Sequence, residues 1–452
     1  EGYEESQRGK PSGFVAEKDI MDTWATSSLT PLIPNNYLDG ENLGDENLKN
    51  KSSQNKSLFA KTFPFSLRPQ GQDIIRTWLF STVVRSYLEF GVLPWKKAAI
   101  SGFILDPDRK KMSKSKGNVV TPQKLLDQYS SDGVRYWASV SKLGIDAMYD
   151  DDVMKAGRKF ATKILNASKF VLNIISDQPK NKDQIGNKDQ IGDGDQVGDG
   201  DQLKNKGQII NEEISQAKIV NILDKKLLQF LDFTISQATN SLEKYDHARA
   251  LEFIESFFWN FCDNYIELVK SRAYGDNQTL ESNQTYSNSN FSEVQTLSAK
   301  KTLFICLENI LKMLAIYMPY AAEEAWSWFH NSSIHIAAWP KPSQIENAKM
   351  DTSFIDDIFA AISQIRGIKS AAQVSQKVAL KNVVIYGEKK TLENIKLAEA
   401  DLCSTGNIVG EISYQKLIDK ELTDKRLSDK VLSNKELSDK INIEGKVELT
   451  KA

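Results

Sequence analysis

The chain has 452 residues, 40% of them hydrophobic and 26% charged, which is ordinary for a globular protein of two to four domains. Its 58 basic and 60 acidic residues leave a net charge of −2, so the chain as a whole is not a basic nucleic-acid-binding protein. Any contact with RNA must therefore come from local basic patches. Three separated cysteines and three histidines argue against a zinc site and fit a reducing, cytoplasmic setting. The absence of an apolar run of about 18 residues predicts no membrane span.

The first third of the chain predicts an α/β domain. An apolar helical pattern runs from Asp73 to Phe90, and a strand-like run follows at 98–105. Two more helices are predicted, one opened by Thr121-Pro122 as N-cap and first residue, and one opened by Ser131-Asp132-Gly133. This alternation is typical of a parallel sheet, whose ligand binds at the carboxyl ends of the strands.

Beyond Asp152 the pattern becomes helical. Apolar side chains recur about every 3.6 residues over Val153–Ile175, Leu223–Leu242, Ala248–Val269 and Thr302–Tyr317, which predicts a helix bundle. Phe258, Trp259 and Tyr265 have the spacing of core residues. A helix at Phe354–Ile368 and a strand at Val383–Tyr386 then predict a small appended α/β unit.

Two repeats interrupt this pattern. A six-residue repeat begins at Asn181. Its Asp/Gly content suggests calcium binding, but its spacing matches neither the EF-hand loop nor the nine-residue calcium repeat. Five copies are too few for a solenoid core, so a disordered insertion is predicted at 177–210. From Lys416 the leucines step by five and cannot stay on one helix face, which predicts a solvated tail or weak helix.

The most informative stretch is Lys110-Lys111-Met112-Ser113-Lys114-Ser115-Lys116-Gly117-Asn118, which follows a strand-like run and an Asp-Pro-Asp turn. Lysine is a flexible point charge with three donors. A loop with four lysines and two serines therefore suits the neutralisation of a triphosphate as charge moves through it. The alternative is a solvated basic turn.

This run resembles the KMSKS signature of class I aminoacyl-tRNA synthetases, at Lys111, Met112, Ser113, Lys114 and Ser115. Two further stretches resemble the valyl form of that family. Asp19–Ser28 is similar to the strand that re-enters the catalytic domain after the editing insertion, and Arg68–Phe80 is similar to the Gly-x-Asp nucleotide segment. Phe258–Lys270 resembles the helical anticodon-binding domain.

The resemblance implies an α/β Rossmann-type half-domain, an all-α helix-bundle anticodon-binding domain and a small C-terminal α/β appendage. The resemblance places the end of the editing insertion or a linker at 1–18, and the C-terminal half of the catalytic domain at 19–150, with a surface insert at 39–62. The anticodon-binding domain is expected at 151–340, the appendage at 350–412 and a repeat tail at 413–452.

The resemblance also implies the reaction of a valine–tRNA ligase. Valine attacks the α-phosphate of ATP, which enters with Mg²⁺, and the 3′ end of tRNA(Val) then takes the acyl group; no protein-bound metal is implied. The catalytic residues would be Lys111, Lys114, Ser113 and Ser115. ATP would be held by Gly71, Asp73, Gly102, Phe103, Met112 and Lys114, and valine by Asp22 and Trp24. Asp73 could instead cap the helix that follows it, Gly102 and Phe103 could simply pack in a strand, and Trp24 could belong to the core.

The family's His-x-Gly-His signature has no counterpart among His247, His330 and His335. We therefore expect the C-terminal portion of a longer or split synthetase, with the N-terminal half as its partner. One alternative is an isoleucyl relative. Another is a degenerate half-synthetase that only binds RNA, which the repeats favour and the intact lysine run and Gly-x-Asp segment oppose.

Overall fold

The computed structural model describes residues 4–15, 18–20, 22–35, 58–112, 117–176, 212–275, 291–343, 352–416 and 441–447. These residues belong to two compact units, one formed by Glu1–Val119 with Ser141–Tyr149 and the other by Val120–Val140 with Asp150–Ala452. The domain boundaries proposed from the sequence stay a prediction. The six-residue repeat and the pentapeptide copies at 417–440 lie outside the described residues.

In the described residues before the first sheet, the chain forms two short α-helices. Helix α1 (Thr23–Ser27) begins at Asp22, whose Oδ1 accepts the backbone N–H of Trp24 at 3.0 Å. The strand predicted over Asp19–Ser28 is therefore wrong, because the Asp22 carboxylate satisfies an N–H group of a helical first turn. Helix α2 (Leu58–Thr62) occupies the last residues of the predicted surface insert at 39–62, so this end of the insert is helical.

The first unit contains a parallel β–α–β crossover. Strand β1 (Phe65–Gly71) pairs in parallel with β2 (Trp95–Ser101). A 3₁₀ turn (Gln72–Ile74), a π-helical turn (Ile75–Leu79) and helix α3 (Phe80–Phe90) connect the two strands. The predicted apolar helix is thus confirmed, although its first turns are irregular.

The predicted strand at 98–105 is interrupted at Gly102 and Phe103. After this break, β3 (Ile104–Leu105) pairs in parallel with β4 (Ala147–Met148). The parallel α/β character predicted from the sequence is confirmed in this unit.

The second unit begins with helix α4 (Pro122–Ser139), which has Thr121 at its N-cap and a proline at its first position, as predicted. Ser130 leaves helical geometry at φ 66° and ψ 164°, so two helical segments meet there. This break agrees with the second helix start predicted at Ser131.

A helix bundle follows, and its helices confirm the 3.6-residue pattern. They are α5 (Asp151–Ile175), α6 (Glu212–Gln216), α7 (Ile222–Glu243), α8 (His247–Asn260), α9 (Ile266–Tyr274), α10 (Glu293–Leu314) and α11 (Pro319–Ser327). A π-helical turn joins α8 to α9. Phe258 and Tyr265 lie in the core as predicted, while Trp259 is half-buried. None of the described helices has the length and apolarity that a membrane crossing requires.

The appended unit contains helices α12 (Ser353–Ala371), α13 (Lys389–Leu397) and α14 (Glu399–Gly406), with strands β5 (Leu380–Gly387), β6 (Ile408–Lys416) and β7 (Ile441–Val447). Strand β5 lies at the centre, parallel to β6 and antiparallel to β7. Strand β7 lies in the segment 413–452 that was predicted as a repeat tail, beyond the repeat itself, and its Ile441 and Ile443 alternate onto a buried face.

A fully buried ionic cluster joins the bundle to the appended unit. The guanidinium of Arg272 on α9 makes two hydrogen bonds to Asp224 on α7, at 2.7 and 2.8 Å, and one to Asp401 on α14, at 2.9 Å. Ser298 and Tyr265 donate to the Asp224 carboxylate at 2.6 and 2.8 Å. Every charged group in the cluster has a partner. Removing one of them alone would therefore leave another charge buried without its partner, at a high cost in folding free energy.

Arg272→Met should lower the free energy of unfolding by about 3 kcal/mol or more, because it leaves two carboxylates buried without their cation. Arg249→Met is the matched control, since Arg249 pairs with Glu252 at the surface and its loss should cost less than about 1 kcal/mol. Urea unfolding followed by helical circular dichroism measures both. Equal effects of the two substitutions would contradict the structural role of the cluster.

Candidate functional site

The site lies where the parallel strands β1 and β2 end. Gly71 lies opposite Ser101, so the chain leaves the two strands side by side, through Gln72–Asp73 and through Gly102–Phe103. Asp146 joins these two exits, because its Oδ1 accepts the backbone N–H of Phe103 at 2.7 Å and the side-chain amide of Gln72 at 3.3 Å. The two segments are therefore held against each other.

Both glycines at this edge lie close to neighbouring atoms. A Cβ on Gly71 would lie 2.8 Å from Oδ1 of Asp73. A Cβ on Gly102 would lie 2.4 Å from the carbonyl oxygen of Ile145. Gly71 therefore leaves room for the Asp73 carboxylate, and Gly102 is required by the close approach of the backbone before β4.

Lys111 extends from the start of the lysine run into this cluster. Its Nζ lies 3.7 Å from Oδ2 of Asp73 and 3.8 Å from the centre of the Phe103 ring. Both charged side chains are about half exposed, so their ion pair contributes little to stability and a competing anion can displace it. Asp73 lies in the first turn after Gly71 and does not cap it, which removes the capping alternative.

The structure thus brings together five of the residues singled out from the sequence, namely Gly71, Asp73, Gly102, Phe103 and Lys111. Met112 follows Lys111 and is half-buried. Ser113, Lys114 and Ser115 lie outside the described residues. In the described ranges no group of three or more histidine, cysteine, aspartate or glutamate side chains is arranged to hold a metal ion.

The base of the lysine run is closed by two residues that were not predicted. Asp106 Oδ1 accepts the backbone N–H of Lys110 at 2.7 Å, and its Oδ2 accepts the side-chain amide of Asn118 at 2.8 Å. The amide of Asn118 also approaches the Lys111 carbonyl, at 3.3 Å. The hydrogen bond from Asn118, followed by that from Lys110, lowers the pKa of Asp106, so this carboxylate remains ionised and keeps both bonds.

Asp22 and Trp24, which were predicted to line an amino-acid pocket, lie on α1. The indole Nε1 of Trp78 donates to the Ser27 carbonyl at 2.9 Å, and Nε of Arg85 donates to Ser28 Oγ at 2.6 Å. These bonds hold α1 against the segment that follows Asp73. Trp24 is half-buried, and its role in binding an amino acid stays a prediction.

Asp106→Ala should open the base of the lysine run, because it removes the acceptor of both hydrogen bonds. Trypsin should then cleave after Arg109, Lys110 or Lys111 several times faster, as measured by mass spectrometry of a limited digest. Asp108→Ala is the control, since Asp108 makes only an exposed ion pair with Lys110 at 3.6 Å. Equal cleavage of the two variants would show that Asp106 does not hold the loop.

Family models match both parts of the chain. The model for class I tRNA synthetases of the I, L, M and V group matches residues 5–150, which include the whole strand-edge site. The model for the anticodon-binding domain of tRNA ligases matches residues 224–385, from α7 through most of β5. Residues 5–150 are therefore similar to class I tRNA synthetases, and residues 224–385 are similar to the anticodon-binding domain of tRNA ligases.

The curated relatives that the chain matches are valine–tRNA ligases. The chain is 44% identical to valine–tRNA ligase of Bifidobacterium longum (strain NCC 2705) over 415 residues, covering 91% of this chain and 41% of that protein. It is 44% identical to the Tropheryma whipplei (strain Twist) valine–tRNA ligase over 382 residues, covering 84% and 38%. For the Thermobifida fusca (strain YX) valine–tRNA ligase the identity is 41% over 424 residues, covering 93% and 41%. The chain thus spans about two fifths of the length of these relatives.

Proposed function

We propose that this chain provides the second half of the catalytic domain and the anticodon-binding domain of a valine–tRNA ligase. The observation that carries the proposal is the position of Lys111 beside Asp73 and Phe103, at the carboxyl ends of two parallel strands. There a half-exposed cation lies next to a carboxylate and an aromatic ring that suit a nucleotide. The names of the relatives support valine as the amino acid.

In the proposed first step, the valine carboxylate attacks the α-phosphate of ATP to give valyl-adenylate and pyrophosphate. This displacement needs alignment of the reactants and charge neutralisation more than proton transfer by the protein. Lys111 and Lys114 neutralise the leaving pyrophosphate, and Ser113 and Ser115 donate to its oxygens or hold the loop. Lys111 can do so because its exposed pair with Asp73 is easily exchanged for a phosphate.

The adenosine end of ATP is proposed to lie at the strand edge. Asp73 accepts from the ribose hydroxyls, and Gly71 lets the nucleotide approach the backbone closely. Gly102, Phe103 and Met112 line the adenine. Mg²⁺ enters on the phosphates as part of the substrate.

In the second step, the 3′-terminal hydroxyl of tRNA(Val) takes the valyl group from the adenylate and AMP leaves. Asp22 and Trp24 are proposed to contact valine. The helices α7 to α11 are proposed to bind the anticodon arm, through local Lys and Arg contacts and base stacking. The His-x-Gly-His part of the ATP site would be contributed by the N-terminal half of the synthetase.

The isolated chain should show no measurable valine-dependent ATP–pyrophosphate exchange, because half of the ATP site is absent from its sequence. Exchange should appear in what we call the completed enzyme, a single polypeptide in which this chain replaces the matching part of the Bifidobacterium longum relative. Isoleucine in place of valine serves as the specificity control. Robust exchange by the isolated chain, or exchange with isoleucine alone, would overturn the proposal.

Lys114→Ala should lower the adenylation rate of the completed enzyme by roughly 100-fold or more, the scale expected when a group that stabilises the transition state is removed. The KM for valine should change little, since Lys114 is assigned to pyrophosphate. Lys96→Ala, at an exposed position on β2, is the control and should leave the rate unchanged. A raised KM for valine with an unchanged rate would contradict the assigned role.

A further inference from the structure

Asp146 lies directly before β4 and contacts both segments that leave the pair of strands β1 and β2. Its Oδ1 accepts the backbone N–H of Phe103 at 2.7 Å and the side-chain amide of Gln72 at 3.3 Å. Gln72 comes directly before Asp73, and Phe103 carries the ring on which Lys111 lies. One carboxylate oxygen therefore links the two turns on which the candidate site is built.

The backbone of Phe103 depends on Asp146 because it lies beyond the end of the strand pairing. The pairing of β1 with β2 ends at Gly71 and Ser101, so it supplies no acceptor for the Phe103 N–H. The Asp146 carboxylate supplies this acceptor, and the Phe103 carbonyl accepts the N–H of Ala147 at 2.8 Å. Both backbone polar groups of Phe103 are thus bonded by two consecutive residues.

The residue before Phe103 is in contact with the same segment. A Cβ on Gly102 would lie 2.4 Å from the carbonyl carbon and oxygen of Ile145 and 2.6 Å from the backbone nitrogen of Asp146. Gly102 therefore passes directly against the peptide bond between Ile145 and Asp146. Backbone packing and hydrogen bonding together place Phe103 relative to the short segment 145–147.

The surroundings of Asp146 indicate a role in the site more than in the stability of the fold. Asp146 is exposed, and a hydrogen bond at an exposed position contributes little to the free energy of unfolding. Its effect on geometry is larger, because both of its donors are next to groups of the site. Without the bond to Asp146, the Phe103 ring would lose its fixed position beside Lys111 and the Asp73 turn.

We propose that Asp146 is a positioning residue of the nucleotide site, which holds Phe103 against the Asp73 turn so that both can contact adenosine. Asp146 acts through these two residues and does not contact the nucleotide. The proposal rests on the proposed function, which assigns Phe103 to the adenine and Asp73 to the ribose. Adenosine takes no part in the displacement at the α-phosphate, so its placement strengthens the binding of ATP equally in the ground state and the transition state. Loss of Asp146 should therefore raise the KM for ATP and leave kcat and the KM for valine nearly unchanged.

The kinetics of ATP–pyrophosphate exchange in the completed enzyme test this role. Asp146→Ala should raise the KM for ATP about tenfold, the scale of one lost hydrogen bond to a charged group. Asp146→Asn keeps the acceptor oxygen and removes the charge, so it should restore the KM for ATP almost fully. Gln72→Ala removes only the longer hydrogen bond and should raise this KM less than Asp146→Ala does. Asp152→Ala is the matched control without effect, since Asp152 pairs with Lys155 at the surface.

Amide hydrogen exchange of the isolated chain tests the hydrogen bond without relying on catalysis. The Phe103 N–H should exchange several times faster in Asp146→Ala than in Asp146→Asn, because only the Asn variant keeps an acceptor. Mass spectrometry of a peptide that contains Phe103 gives the rate, and circular dichroism checks that both variants are folded. Equal exchange rates in the two variants would overturn the proposal.

The kinetic outcomes separate this proposal from the proposed function. If Asp146→Ala lowers kcat or raises the KM for valine as much as that for ATP, or if Asp146→Asn is equally impaired, the positioning role is wrong and the function stands. If the unsubstituted completed enzyme shows no valine-dependent exchange, the proposed function is contradicted instead. Equilibrium dialysis with ATP then decides the role of Asp146, because weaker binding by Asp146→Ala alone supports it and equal binding by all three proteins overturns it.

Discussion

The parallel pairing of β1 with β2 is the constraint on which the candidate site depends. Because the strands run in the same direction with Gly71 opposite Ser101, the Asp73 turn and the Gly102–Phe103 turn emerge at one edge. Lys111 meets both of them there. Asp146 then fixes the spacing of the turns through hydrogen bonds to each. An antiparallel arrangement would place the two turns at opposite ends of the strands and separate these groups.

Charges are used in two different ways in this chain. Lys111 and Asp73 are half exposed, so their pair is weak and can be exchanged for a ligand, while the base of their loop is held by the Asp106–Asn118 hydrogen bonds. Arg272 is fully buried with two carboxylates, where exchange with water would be very costly. The first arrangement suits a pair that a ligand can displace, and the second suits a permanent junction between helices.

The crossover helix of the first unit has an unusual distribution of buried and exposed side chains. Its crossover helix buries Thr82 and Ser86 and exposes Phe80 and Leu88, the reverse of a helix that faces water. In the described ranges β1 pairs only with β2, and Nε of Arg68 and Oε1 of Gln70 are buried without a hydrogen-bond partner.

Much of the fold could be predicted from the sequence, because its signals are local, whereas the roles of the site residues stay predictions. The 3.6-residue pattern marked the bundle helices, Thr121-Pro122 marked the start of α4, and the lysine run with Gly71 and Asp73 predicted a nucleotide site. Tertiary structure alone decided which distant groups meet. Asp146 lies 43 residues from Phe103, and Asp401 lies 129 residues from Arg272, so no local pattern reveals either contact. A strand was expected at Asp19–Ser28, but this segment contains helix α1, which is capped by Asp22 and accepts hydrogen bonds from Trp78 and Arg85. The segment predicted as a repeat tail contains strand β7, which pairs with β5. Local composition determines what a segment can become, but hydrogen bonds and burial supplied by remote residues decide what it does become.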